Sequence, residues 1–322
     1  ARIVHYAEPL TLEKADRLKI VYSDVSTKIL AGYEIPLVTR NSILRGETEI
    51  FHKIENLPQD FFRVEVSIPT VGFKKYFYFR NYQLVSPSTY LTLWWTKYQT
   101  EYFDFYVREK KNFNSYSGSQ IERNAAGIMK LLDFTEEERT ELKKKRLVYI
   151  VALHEKNIGE FCGEEVKGAF LPAWDEIVTS TPFNIAGVAE QLIRFKLKKL
   201  NLNTPRLFGE GFAAALGGMS PRPPAMLVKL GAFLQRDGIL DVSTLAVDSL
   251  FNEQDISFSI PLAATFNHFL MREIGIKDYL RLYQQKNSPN DKSMSGNAIE
   301  LTVPKKDEFK KFAEDYKPEI NI

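Results

Sequence analysis

Few residues in this chain could do chemistry. It holds four histidines, His5, His52, His154 and His268, and one cysteine, Cys162. A single thiol excludes an internal disulfide and any multi-cysteine metal site. A cysteine nucleophile would rest on Cys162 with His154 nearby in sequence, and nothing aligns a third group. His154 opens the stretch "HEKNI". A zinc-binding HExxH helix needs a second histidine four residues on, so that both imidazoles share one face and reach one metal. That position is Ile158. His154 reads instead as a strand-end or loop histidine, and His268 as a hydrogen-bonded, partly buried histidine on a helix. Two carboxylates are less ordinary: Glu190 in "GVAEQLIRFKL" and Glu210 in "PRLFGEGFAAAL". The helix around Glu190 is apolar at Ile185, Val188, Ala189, Leu192, Ile193 and Phe195, broad enough to be largely buried. A carboxylate on such a helix is costly unless it is paired or faces a cavity. Arg194, four residues on, is the nearest partner in the favoured acid-first order, and a Glu190–Arg194 pair with Glu210 nearby is expected. Glu210, at the start of its own helix, also gains from the helix dipole.

The elements that must position these groups divide by texture. "FFRVEVSIP" alternates, with Val64, Val66 and Ile68 on one face and Arg63, Glu65 and Ser67 on the other, and "KKYFYFRNYQLV" continues the aromatic, β-branched pattern. Residues 1–97 therefore read as a β-rich domain, a small sandwich, with one helix possible in "LTLEKADRLKIVYSDVSTKIL". After Tyr98, "EYFDFYVRE" reads as a strand. "SGSQIERNAAGIMKLLDF" carries a helical stripe at Ile121, Ala125, Ile128 and Leu132, and Thr135 and Glu138 stand at capping-box spacing. The strand "RLVYIVAL", a Gly-containing connection and the extended "GAFLPAWDEIVTS" follow, and Asn184 reads as an N-cap. Helices are expected at 185–200, 208–216, 224–236, 262–274, 276–285 and near 305–316. Strands first and helices after read as α+β.

Composition narrows the partners. The net charge of +2, from 43 basic and 41 acidic residues, gives no field that argues for nucleic acid or an anionic membrane. "ELKKKR" and "KLKK" are short and read as solvated helix faces. At 44% hydrophobic residues, the 322-residue chain has ample material for a core. No apolar run reaches the ~18 residues that a membrane-spanning helix requires. The chain opens at Ala1 without an initiator methionine, which reads as a processed or trimmed form.

The order of segments over residues 98–322 resembles the catalytic domain of the peptidase MA-like (gluzincin, thermolysin-like) zinc metallopeptidases. "TEYFDFYV" looks like that family's opening strand and "GAFLPAWDEIVTS" like the edge strand lining its substrate cleft. "GVAEQLIRFKL" stands where the HExxH helix belongs, "PRLFGEGFAAAL" looks like the glutamate-bearing helix, and "IPLAATFNHFLMREIGIKDYLRLYQQ" resembles the later helix pair. The resemblance implies a zincin fold with Glu190 at the general-base position and Glu210, twenty residues on, at the third ligand position. The two histidine positions then fall on Ala189 and Ile193, and Arg194 and His268 belong to the former cleft. Zinc needs about three protein ligands to bind and to activate water. With both imidazoles gone, the resemblance implies a pseudo-peptidase with no metal and no cofactor. Its expected role is peptide or protein binding, or scaffolding, through the former cleft, the β-rich domain or the edge strand around Phe170–Ser180. The rival expectation is a hydrolase with an unorthodox site built around Glu190, Glu210, His268 or His154. By analogy with the family, an exported or envelope-associated location is expected.

Overall fold

The computed structural model describes residues 3–6, 50–69, 73–81, 83–163, 165–171, 174–197, 204–286 and 294–316. The helix considered within residues 10–30 lies outside them. In chain order the strands are β1 (Ile3–Tyr6), β2 (Ile50–Leu57), β3 (Phe61–Ile68), β4 (Phe73–Arg80), β5 (Gln83–Val85), β6 (Thr96–Gln99), β7 (Phe103–Val107), β8 (Leu147–Val151), β9 (Gly168–Leu171) and β10 (Glu176–Thr179). The helices are α1 (Pro87–Leu91), α2 (Ser115–Leu131), α3 (Glu136–Lys144), α4 (Glu155–Cys162), α5 (Ile185–Leu197), α6 (Arg206–Gly217), α7 (Pro224–Arg236), α8 (Val242–Leu245), α9 (Asp248–Glu253), α10 (Ile256–Ile274), α11 (Ile276–Lys286) and α12 (Met294–Asp315). The N-terminal region is strand-rich and the C-terminal half mostly helical, as an α+β reading requires.

Two compact units gather these elements. One takes in Ala1–Gln99, Asp104–Asn114 and Val148–Pro182; the other takes in Thr100–Phe103, Ser115–Leu147 and Phe183–Ile322. The first unit carries two five-stranded sheets, ordered β1-β2-β3-β4-β5 and β6-β7-β8-β10-β9. In the first sheet β1 runs parallel to β2, and β2 to β5 form an antiparallel meander. The period-2 alternation holds in β3, where Val64 and Val66 are buried while Arg63, Glu65 and Ser67 stay half-exposed. Where a sandwich was expected, the described strands form this one sheet, with α1 and α4 packed on β4. Tyr90 of α1 stacks on Tyr78 at 5.8 Å and meets Phe61 at 5.2 Å.

The second sheet is mixed: β8 and β10 are parallel, and β9 returns antiparallel on β10. "GAFLPAWDEIVTS" is thus a hairpin rather than one edge strand. Of its two strands β9 lies at an edge of the sheet, opposite β6, and β10 is held on both sides. All four residues of β10 are buried, as an inner strand covered on both faces requires, although Glu176 and Thr179 are polar. Helix α4 fills the space where a plain connection was expected. Its Ile158 and Phe161 pack with Ile150, Leu171 and Val178 in one core, against which Leu91 and Trp95 also rest.

The helical unit is organised around α10. Helices α6 and α7 both pack along it, and α5 packs against α6 and α2. Two glycines set the spacing. A Cβ added at Gly211 of α6 would meet the Ala263 carbonyl oxygen at 2.8 Å, and one at Gly231 of α7 would meet the Pro261 carbonyl carbon at 2.7 Å. Side chains larger than hydrogen would hold these helices apart. The stripe Ile121, Ala125, Ile128 of α2 is buried, as its spacing predicts. Thr135 caps α3 in the expected reciprocal box: its hydroxyl accepts from Glu138 N, and Thr135 N donates to Glu138 Oε2 at 2.8 Å. The short helices α8 and α9 were not expected. At four and six residues they are too brief to show a helical period.

Candidate functional site

Helix α5 begins where the sequence indicates, with Asn184 Oδ1 accepting from Gly187 N at 3.1 Å. Its apolar face turns inward: Ala189 is 0% and Ile193 2% exposed, with Val188 and Leu192 equally buried beside them. Both positions at which the family resemblance would put imidazoles are therefore core positions. Glu190, one residue round the helix, is half-buried. Its carboxylate acts on the Tyr283 phenol of α11. Burial pushes that phenol well up, the Glu190 charge pushes it further, and a hydrogen bond with Thr204 and the charge of Arg194 pull it back. Glu190 and Arg194 thus share a field at Tyr283, whose ring lies 5.3 Å from Phe212 of α6.

Glu210 is tied elsewhere. Arg206, one turn earlier on α6, bonds its carboxylate through Nε and reaches Asn252 of α9 through Nη1. The Arg206 guanidinium lies 4.8 Å from the Phe251 ring centre, and its backbone N–H donates to Asp248 Oδ1 at 2.9 Å. Burial pushes the Asp248 carboxyl up, and its contacts with Arg206 draw it down. The partner of Glu210 is therefore Arg206, a residue that sequence reasoning did not single out.

Deeper in the same unit is a buried polar knot that was also missed. Asn267 of α10 donates through Nδ2 to the carbonyls of Leu207 and Ala263, each at 2.7 Å, and accepts from the Tyr279 hydroxyl through Oδ1. It joins α6, α10 and α11 at one point, and its groups are satisfied as a buried amide requires. His268, the next residue, is half-buried against Phe312, with ring centres 6.5 Å apart. Burial, and then Arg272, lower its pKa.

The first unit holds its own polar cluster, built from residues too far apart in sequence for any local pattern to reveal it. Glu176 of β10 is buried, and it accepts from the Ser86 hydroxyl at Oε2 and from the Ser88 hydroxyl at Oε1, both at 2.6 Å. His154 lies in the connection between β8 and α4, at the N-cap position, its backbone N–H donating to Asn157 Oδ1 at 3.3 Å. The Cys162 thiol is half-buried and donates to the Ile158 carbonyl at 3.4 Å. His5 and His52 are backbone neighbours in the β1–β2 ladder.

These residues do not fit a zinc ion. Two of the three ligand positions carry packed apolar side chains, and the third carries a carboxylate already bonded to Arg206. Among the described residues no three of His, Cys, Asp and Glu gather as a ligand set. No described helix is long and apolar enough to cross a membrane. What the first unit does offer is the β9 edge. Ser180 N donates to Lys167 O at 2.9 Å, and the register pairs Ala169 with Val178 and Leu171 with Glu176. Alternation of hydrogen-bonded and non-bonded pairs then turns the backbone N–H and C=O groups of Gly168 and Phe170 away from β10.

Compared with known proteins, the chain matches no family model, no curated protein and no solved structure.

Proposed function

We propose that this chain is a non-catalytic, peptidase-like protein of the gluzincin type that binds an extended peptide or protein segment. The observation that carries the reading is the engagement of Glu210 by Arg206, beside an α5 whose ligand positions are core. A carboxylate held this way is already charge-paired, and a helix that buries Ala189 and Ile193 has no imidazole to offer a metal. The chain order supports the family likeness: an antiparallel edge strand, a parallel inner strand, then α5 and the glutamate-bearing α6. Binding is assigned to β9, because adding a strand needs only main-chain groups and adjoining side-chain pockets.

Two measurements test it. Zinc content is determined on the purified chain after chelator treatment and reloading, with Glu210→Ala beside it. No retained zinc is expected; one firmly held zinc per chain, lost in Glu210→Ala, would overturn the metal-free reading. Peptides selected from a random display library on the intact protein are then tested on Phe170→Pro. That change deletes an outward N–H and leaves the bonds to β10 in place. Loss of binding is expected, and unchanged binding would remove β9 as the site.

A further inference from the structure

The helical unit contains a cavity of about 500 Å³ whose lining shares only His268 and Arg272 with the groups described above. Leu131 of α2, Leu216 of α6, Val228 of α7, Met271 of α10 and Ile276 of α11 give it apolar walls. Five helices thus converge on it, each contributing a side chain with no polar group to satisfy. The volume lies within the range of sites for small organic ligands, roughly 300–1,000 Å³. Leu131 is 57% exposed, so the apolar lining runs out to the mouth and leaves surface that a ligand would cover.

The polar groups on the lining are His268, Arg272 and Tyr316. His268 and Arg272 stand four apart on α10 and so share one side of that helix. Arg272 forms no ion pair with any described residue. Its guanidinium lies 6.0 Å from the centre of the Phe312 ring, a contact that orients the group without using its N–H donors in hydrogen bonds to a carboxylate. The Arg206 guanidinium on α6, by contrast, is occupied by Glu210. A planar fork of donors at the mouth of an apolar cavity matches a carboxylate joined to an apolar body.

We propose that this cavity is a binding site for an apolar monocarboxylate of about the size of a medium-chain fatty acid, its tail among Leu131, Leu216, Val228, Met271 and Ile276 and its head on Arg272. His268, one turn back, adds a second polar contact for the head group. Burial and Arg272 both favour its neutral form, which can donate one hydrogen bond without adding charge. The site lies within the helical unit and does not depend on β9 or on the peptidase likeness.

The test is calorimetric titration of the intact protein with decanoate and with decanol, below their aggregation concentrations, for the wild type, Arg272→Gln and Met271→Trp. Arg272 is exposed, so its replacement leaves the fold intact. Saturable decanoate binding is expected, weakened about tenfold or more in Arg272→Gln, as loss of one charge-assisted contact implies. Decanol binding is expected to be weaker in the wild type and unchanged by Arg272→Gln, and Met271→Trp should abolish both by filling the cavity. Equal affinities for acid and alcohol, or a decanoate affinity indifferent to Arg272→Gln, would overturn the assignment of the head group. Absence of saturable decanoate binding would overturn the site itself.

Discussion

Between two serine hydroxyls, the Glu176 carboxylate shows how far a single residue's behaviour depends on chain that is remote in sequence. Ser88 is 88 positions away, and its hydroxyl lies 2.6 Å from the carboxylate. Burial raises the Glu176 pKa, Ser86 and Ser88 lower it in part, and Asp175 raises it again, leaving it above the ordinary carboxylate value. An acid with a raised folded-state pKa holds its proton more tightly folded than unfolded. Its contribution to stability is therefore full below the unfolded pKa and is lost as pH rises through the folded one. Glu176→Gln should remove that dependence, so that in urea titrations the variant gains on the wild type between pH 4 and pH 7. A difference independent of pH would show that Glu176 is not the group responsible. At this scale the sequence was legible where partners are local. Thr135 with Glu138, and Asn184 with Gly187, are both within one helical turn. It was silent on Glu176 with its serines, on Arg206 with Asn252 and on Asn267 with Tyr279, which only the fold brings together; Arg206 with Glu210, four apart on one helix, lay within reach of the same local rule and was missed.

Elements with a clean period were read well, but α10 begins at Ile256 rather than 262, α12 begins at Met294 rather than near 305, and the short helices were missed. Helix α7 runs over 224–236, the range that its pattern and Pro224 imply, and the α2 stripe is buried. The hairpin of β9 and β10 was read as one extended segment although Pro172 and Asp175, the latter at φ 53°, stand between the two strands and signal a turn. Glycine decides packing at this scale, and its effect has opposite signs at different places. At Gly231, where α7 meets α10, an added methyl would overlap Thr265 and the Pro261 carbonyl. Gly231→Ala is expected to destabilise by about 1–3 kcal/mol, as overpacking does. Gly127 is exposed on α2 with nothing within 4 Å of an added Cβ. There Gly127→Ala should stabilise by ~1 kcal/mol through helix propensity. Denaturant midpoints of the two variants would check both signs in one experiment.

For the molecule as a whole, the helical unit depends on α10 more than on the pair of helices that drew attention in the sequence. Residues Ile260 to Phe266 of α10 are buried throughout, and both α6 and α7 lie along it. Thr265 adds a tie, its hydroxyl 2.7 Å from the Pro261 carbonyl and 3.1 Å from the Val228 carbonyl of α7. Amide hydrogen exchange should therefore be slowest in the helical unit at Leu262 to Phe266, because opening there requires several helices to separate. Faster exchange at α10 than at α5 would contradict this. Gly211 and Gly231 meet α10 by lacking a side chain, and the cost of replacing either is set by backbone that cannot retreat. Surface charges, helix ends and even the two glutamates can drift over generations while this packing lasts. Those two glycines, with Asn267 against the first of them, are the points at which substitution is least free, and so the fixed marks by which a distant cousin of this chain would be aligned to it.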